Sequence, residues 1–165
     1  MFKGCNIIKT VSFQEFNMAI ITNMKRMFDS CTSLTDIYYF DPKNVEDVSH
    51  LFENCESLTN IQYNSYNGEN NVITNMEYMF NKCKSINSIN LNYFKVDNVK
   101  KMEYMFAECT SLTTISLSSS YFNPMAVEKM NSMFLNCNNI TKLDLSSYSA
   151  NSVEDIQYMF SGCTL

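Results

Sequence analysis

The sequence shows few of the features that divide a chain into domains or target it to a membrane. Two prolines and three glycines occur in 165 residues, so no Pro- or Gly-rich linker indicates a domain boundary. No run of 18 apolar residues exists, which excludes a transmembrane helix. The start has no basic segment followed by an apolar stretch, so a signal peptide is not expected. We therefore predict one unit over residues 1–165.

Charge and catalytic residue types are also sparse. Twelve basic and seventeen acidic side chains give a net charge of −5, and the basic ones are scattered, so a nucleic acid partner is not expected. The sequence contains no C-x-x-C pair, which is the spacing typical of zinc ligands. The sequence has no Ser/His/Asp set and no Gly-rich phosphate loop. We expect no enzyme activity, cofactor or metal site.

What the sequence has is a repeat. All seven cysteines end the same five-residue phrase: "MFKGC", "MFDSC", "LFENC", "MFNKC", "MFAEC", "MFLNC" and "MFSGC". Successive cysteines are 26, 24, 28, 26, 28 and 26 residues apart. This spacing predicts about six repeats of 24–28 residues, with partial units at both ends.

Within a repeat the apolar period changes once. In "VKKMEYMFAECTSLTTISL" (99–117) apolar residues stand at helical spacing from Val99 to Cys109 and then at strand spacing to Leu117. Asn98, like Asn44 and Ser152, is a candidate helix N-cap. The step from the first aliphatic to the last strand residue is 18 residues in five copies, ending at Tyr39, Tyr63, Leu91, Leu117 and Leu145.

Units of this kind must stack to bury their apolar faces. We predict an α/β repeat solenoid: a leucine-rich-repeat-like right-handed coil with a short parallel β-sheet on its concave face and short helices on its convex face. Aromatic side chains replace the usual polar ladder residue after the strand in four copies, at Phe16, Tyr66, Phe94 and Tyr148.

The segment "KLDLSSYSANSVEDIQYMFSGC" (142–163) resembles the repeat of BspA-like leucine-rich-repeat surface proteins, in the variant abundant in mycoplasmas. The shared features are the short strand, an aromatic soon after it, "NV" or "NM", and "MFxxC". The resemblance implies a secreted or cell-surface protein, and an adhesin or recognition module that binds protein or glycan. A structural spacer and an intracellular scaffold are the alternatives.

Several residues carry two interpretations. The cysteines form either a disulfide or metal ladder, or a column of small apolar core residues, and their odd number favours the core. The methionines form a binding groove or core, and their inward helical spacing favours core. His50 is a catalytic base or a solvent-facing residue near Glu46, and the absence of a nucleophile favours the second interpretation.

The outward strand positions remain as a candidate site. They carry mostly hydroxyl and amide side chains, which suit either a solubilising surface or a broad, low-charge recognition surface. The candidate ligand-binding residues are Tyr38, Gln62, Asn90, Ser116, Asp144, Asp36, Asn60 and Thr114. The end units show no polar caps, so end-to-end self-association is also predicted.

Overall fold

The structure, a computed structural model, describes residues 1–64, 72–116, 125–145 and 151–164. It has one short strand in each of five successive repeats: β1 (Thr10–Ser12), β2 (Asp36–Phe40), β3 (Asn60–Tyr63), β4 (Ser88–Asn90) and β5 (Thr114–Ser116). A 3-10 turn spans Met18–Ile20. Tyr66, Leu117 and Tyr148 lie outside the described residues.

The strands pair in parallel with their neighbours in the chain, which confirms the predicted parallel sheet. One sheet has the order β1-β2-β3 and a second pairs β4 with β5. Ile37 pairs with Ile61, and Ile89 pairs with Ile115, so each pairing advances by one repeat. These isoleucines alternate with exposed polar residues, as expected for strands that bury one face.

The predicted helices are wrong. Among the described residues there is no α-helix, and the "MFxxC" segments form consecutive tight turns. In one repeat the amide of Met105 donates to the carbonyl of Met102 (3.3 Å), and the amide of Cys109 donates to that of Phe106 (3.1 Å). The third residue of the first turn, Tyr104, has a φ of 54°, which type II turns require.

The other amides of these turns bind the following repeat. The amide of Tyr104 donates to Asn131 (3.2 Å), and that of Phe106 donates to Met133 (2.9 Å). An α-helix would instead direct each amide to the carbonyl four residues back within the segment. Apolar residues spaced by three face one side in both arrangements, which is why the sequence pattern predicted a helix.

The proposed helix caps are wrong for the same reason. Asx turns begin the turn segments instead: the side chains of Asn23, Asp47, Asn75 and Asp155 each accept the amide two residues on, at 2.8–3.0 Å. Parallel bridges then join consecutive repeats at Asn23, Asp47, Asn75, Lys101, Lys129 and Asp155. We call the segments 23–31, 47–55, 75–83, 101–109, 129–137 and 155–163 the turn side.

One strand contains an extra residue. Phe40, not Tyr39, pairs with Tyr63, and the register shifts between Ile37 and Phe40. Tyr39 has a φ of 57° and is 37% exposed, as expected for the inserted residue of a β-bulge. The predicted constant step of 18 residues is therefore wrong in this repeat, because the inward residue comes one position later.

A column of phenylalanine rings lies along the core. Phe2, Phe28, Phe52, Phe80, Phe106, Phe134 and Phe160 stack in succession, with ring centroids 5.3–5.8 Å apart. The methionines at the inward positions of the turn side are buried beside them, which confirms their assignment to the core. They are Met24, Met27, Met76, Met79, Met102, Met105, Met130, Met133 and Met159.

The cysteines form a second column. The six thiols after Cys5 each donate to the carbonyl of the phenylalanine one repeat earlier; Cys109, for example, donates to Phe80 at 3.1 Å, and Cys83 donates to Phe52 at 3.2 Å. All seven are free thiols, and the central five are buried. Cysteine suits this position because it is small and apolar and still carries a weak donor.

The last described repeat is less buried than the repeat before it. Ile156 is 61% exposed and Phe160 is 38% exposed, whereas their counterparts one repeat earlier, Met130 and Phe134, are buried. End-to-end association stays a prediction. Within the described residues, no helix is long and apolar enough to cross a membrane.

We predict that Phe106→Ala destabilises the protein more than Tyr104→Ala. Phe106 is fully buried, and removing such a ring costs ~3–5 kcal/mol. Tyr104 is half-buried and stacks on Tyr78 at 4.7 Å, rather than lying on the outer face of a helix, so its loss costs about 0.5–1.5 kcal/mol. Denaturant midpoints measure both, and equal shifts would contradict the core assignment.

We also predict that thiol reagents modify Cys5 and Cys163 of the native protein before the central five cysteines. Burial raises the pKa of the Cys83 and Cys109 thiols well above their ordinary value, which removes the reactive thiolate. Mass spectrometry of partially labelled protein assigns the sites, and denatured protein is the control in which all seven react. Fast modification of Cys83 or Cys109 would refute the buried column.

Candidate functional site

The outward side chains of the five strands form a polar surface, which we call the sheet face. It comprises Thr10, Ser12, Asp36, Tyr38, Asn60, Gln62, Ser88, Asn90, Thr114 and Ser116, which are half-buried or exposed. Seven of the eight candidate residues lie on it. Asp144, the eighth, is exposed in residues 141–145, where no strand forms.

The sheet face is almost uncharged. Asp36 is the single charged side chain among its ten residues, and the side-chain amide of Asn60 donates to the Asp36 carboxylate at 3.4 Å. The threonines that precede the strands differ from the sheet face, because their hydroxyls already donate hydrogen bonds within the protein. The hydroxyls of Thr35, Thr59 and Thr113 donate to backbone carbonyls of the preceding repeat at 2.9–3.1 Å.

Within the described residues this ladder of threonines is interrupted at two junctions, between β3 and β4 and between β5 and residues 141–145, where Thr141 makes no such bond. No backbone hydrogen bond joins residues 59–63 to residues 86–90, all of which the structure describes. In the intact β4–β5 pair, Asn87 accepts the amides of Thr113 and Thr114, and the threonine hydroxyl adds a third bond. Asn87 stands where Thr35, Thr59 and Thr113 stand in their repeats, so the bond to Thr59 has no hydroxyl donor. A threonine alone does not pair the strands, because Thr141 makes no bond to Thr113.

The junction between β3 and β4 is closed on the turn side. The amide of His50 donates to Glu77 (2.8 Å), and that of Phe52 donates to Met79 (2.9 Å). The rings of Phe52 and Phe80 are 5.3 Å apart. The two repeats therefore stay one stacking distance apart at the turns and separate at the strands, which opens a wedge toward the sheet face.

We call this wedge the junction cleft. Its volume is about 110 Å³, and it is lined by Thr59, Asn60, Ile61, Tyr63, Ile86, Ser88, Ile89 and Asn90. At its far end Tyr63 stacks on Tyr93 at 4.4 Å and meets Phe94 edge-on at 5.8 Å. Burial, with a smaller effect of Tyr93, raises the pKa of the Tyr63 hydroxyl, so it stays protonated and can donate a hydrogen bond.

A charged cluster lies on the turn side, away from the sheet face. His50 belongs to it and is not solvent-facing as predicted: its side chain is 15% exposed, and Nδ1 lies 2.7 Å from Oε2 of Glu53. Arg26 contacts both Glu53 (3.4 Å) and Asp29 (2.7 Å). Burial raises the pKa of Asp29, but hydrogen bonds from Ser30, Arg26 and Lys3 outweigh it and hold the pKa below its ordinary value. These paired charges stabilise the stack.

The comparisons with known proteins agree with this architecture. A family described as "Mycoplasma protein of unknown function, DUF285" matches residues 1–88 and again residues 67–165. The chain belongs to the DUF285 family. Membership confirms the resemblance to the mycoplasma type of BspA-like leucine-rich repeat, and the two matches together cover the whole DUF285 chain. No significant match to a curated protein is found.

Three solved structures are similar to the DUF285 chain. A leucine-rich repeat protein from Eubacterium ventriosum has a TM-score of 0.51 and 18% identity, over 81% of this chain and 32% of its own. One from Bacteroides ovatus has 0.45 and 18%, over 95% and 50%. A "leucine rich cell surface protein" from Faecalibacterium prausnitzii has 0.44 and 15%, over 95% and 44%. The first supports a leucine-rich-repeat fold, and the chain spans about a third of its length.

Sequence reasoning found the sheet face but missed the junction cleft. The sequence offers only a partial signal, the column of threonines at Thr35, Thr59 and Thr113, which "SINSIN" (85–90) interrupts with Asn87. As an outward polar residue, an asparagine there differs little from a threonine. The signal is partial because Thr141 keeps the threonine and its junction is also open.

We predict that the amides of Ser88 and Asn90 exchange with solvent faster than those of Thr114 and Ser116. The two pairs hold equivalent register positions in β4 and β5, but only the second pair has a neighbouring strand on its preceding side. Opening at an unpaired edge costs less free energy than opening of a ladder bond. Residue-resolved hydrogen exchange measures this, and equal protection would show that β3 and β4 pair in solution.

Proposed function

We propose that the chain is a non-enzymatic interaction module that binds a protein or glycan through its sheet face. The supporting observation is a continuous series of exposed hydroxyl and amide side chains on parallel strands, with Tyr38, Gln62 and Asn90 at equivalent outward positions. Stacked repeats present such an extended surface without rearrangement, and broad surfaces of this kind are how solenoids bind.

The contact surface we propose includes Asp36, Asn60, Thr114 and Ser116 in the strands and Asp144 beyond them. It extends over several repeats, so each contact need contribute only a small free energy. The weak charge of the face favours recognition by hydrogen bonds and shape over electrostatic steering. The module would act as part of a surface-exposed or secreted adhesin or recognition protein, as the family resemblance implies.

Two alternatives share the same fold. A structural spacer would use the repeats to extend another domain and would not need a contact face. An intracellular scaffold would bind a protein on the same face, in another location. The junction cleft favours recognition over the spacer, because a spacer gains nothing from an interruption in its sheet, whereas a binding surface gains a concave, polar feature.

We predict that changing Tyr38, Gln62 and Asn90 together to lysine abolishes binding. Three like charges on adjacent strands would repel one another and block contacts to an uncharged ligand. The immobilised chain is probed with extracellular-matrix proteins and a glycan array, and bound ligands are then measured against the triple variant.

A matched control carries lysine at Thr22, Asn98 and Gln157, which are exposed and lie outside the strands. It adds the same charge and should bind as the original chain does. Thermal melting confirms that both variants fold. If the original chain binds nothing, the spacer interpretation is favoured; if both variants lose binding equally, the sheet face is not the contact surface.

A further inference from the structure

We propose that the junction cleft binds one uncharged sugar residue of a glycan through its hydroxyl groups. This inference rests on the proposed function, since it assigns a ligand class to one part of the sheet face. The cleft is a recess in the sheet face, and Asn60 and Asn90, two of the candidate residues, are among the residues that line it.

The cleft exposes backbone groups that are hydrogen-bonded where neighbouring strands pair. In the β4–β5 pair the carbonyl of Asn87 accepts the amide of Thr113, and the amide of Leu91 donates to Ser116 (3.1 Å). The corresponding groups at the junction cleft are the carbonyl of Thr59 and the amide of Tyr63, and neither bond forms. Unpaired backbone donors and acceptors favour a polar occupant, because leaving them without a partner costs free energy.

A peptide strand does not fit between β3 and β4. Inserting one would require a strand spacing of ~4.8 Å on each side, or roughly 9.6 Å between the two flanking strands. The turn side holds the same two repeats closer together, since Phe52 and Phe80 stack at 5.3 Å and the thiol of Cys83 donates to Phe52 at 3.2 Å. The cleft itself has a volume of about 110 Å³, which suits an occupant smaller than a peptide strand.

The lining favours a neutral ligand with both donors and acceptors. None of the eight lining residues is charged, so a carboxylate or an ammonium group would enter without a counter-ion, at a high desolvation cost. Sugar hydroxyls can donate to the Thr59 carbonyl and accept from amides such as that of Tyr63. Ile86 and Ile89, which are buried, form an apolar floor against which the C–H face of a sugar can pack.

The test uses matched probes on the full chain. Glucose, galactose and N-acetylglucosamine are titrated as neutral sugars, and glucuronic acid and glucosamine are their negatively and positively charged counterparts. Amide chemical shifts report the site. We expect millimolar binding of at least one neutral sugar, with the largest shifts at Tyr63, Ser88 and Asn90. The charged counterparts should bind more weakly.

Two variants remove the cleft. Asn87→Thr adds the hydroxyl that Thr59 and Thr113 donate to the preceding repeat and should narrow the junction, while Ser88→Ile fills the opening directly. Each should weaken sugar binding by roughly tenfold or more, the factor expected when one or two hydrogen bonds are lost. Asn98→Thr makes the same substitution as the first variant at an exposed position outside the strands and should leave binding unchanged.

Several outcomes would overturn the proposal. They are the absence of shifts with every neutral sugar, shifts centred away from the cleft, equal binding of the charged counterparts, or unchanged binding in Ser88→Ile. These results are distinguishable from failure of the proposed function. If the chain still captures a matrix protein or glycan and loses it in the triple lysine variant, the sheet face binds its partner without the cleft, and only the sugar site is rejected.

Discussion

The backbone bonds between successive turn segments set the dimensions of the whole stack. On the turn side, amides alternate between the carbonyl three residues back and the carbonyl of the next repeat, as Met105 and Phe106 show. The second kind of bond holds neighbouring repeats about one strand spacing apart. At that spacing the phenylalanine rings stack at 5.3–5.8 Å, and the six thiols after Cys5 reach the phenylalanine carbonyl of the repeat before them. The two core columns thus follow from one hydrogen-bond pattern.

The same pattern imposes a conformational cost that only neighbours can offset. In the part of the chain that the structure describes, twelve non-glycine residues have positive φ, and eleven of them lie on the turn side, among them Arg26, His50, Tyr78 and Tyr104. The left-handed conformation costs an L-residue roughly 1–2 kcal/mol, so a single repeat would not retain it. Side chains at these positions offset part of this cost by stacking on one another from repeat to repeat. The ring of His50 lies 4.8 Å from that of Tyr78, and the ring of Tyr78 lies 4.7 Å from that of Tyr104. Stability is therefore a property of adjacent repeats, as expected for a solenoid.

Much of the fold could be predicted from the sequence, and the wrong prediction of helices has a definite physical cause. The cysteine spacing predicted the repeat, and the inward methionines and the parallel strands followed from the apolar pattern. The helix that the same pattern predicted is wrong, because residues such as Val99, Met102 and Cys109 recur at a spacing that suits a turn of three residues as well as a helix. Side-chain periodicity reports which residues share a face. It does not report whether the backbone amides bond within the segment or to the next repeat, and here that choice decides the secondary structure.

The candidate site depends on the asymmetry between the two sides of the stack. On the turn side many backbone bonds, the phenylalanine column and the thiol bonds join every pair of repeats, so the loss of one contact does not separate them. On the strand side a repeat contributes three to five residues, and the threonine hydroxyl is a substantial part of what joins it to its neighbour. A strand junction can therefore open while the turns stay closed, as between β3 and β4, where Asn87 replaces threonine, and after β5, where Thr141 makes no such bond. Such a solenoid can gain a concave site on its sheet face without losing its core, because the residues that shape the opening are not those that hold the repeats together.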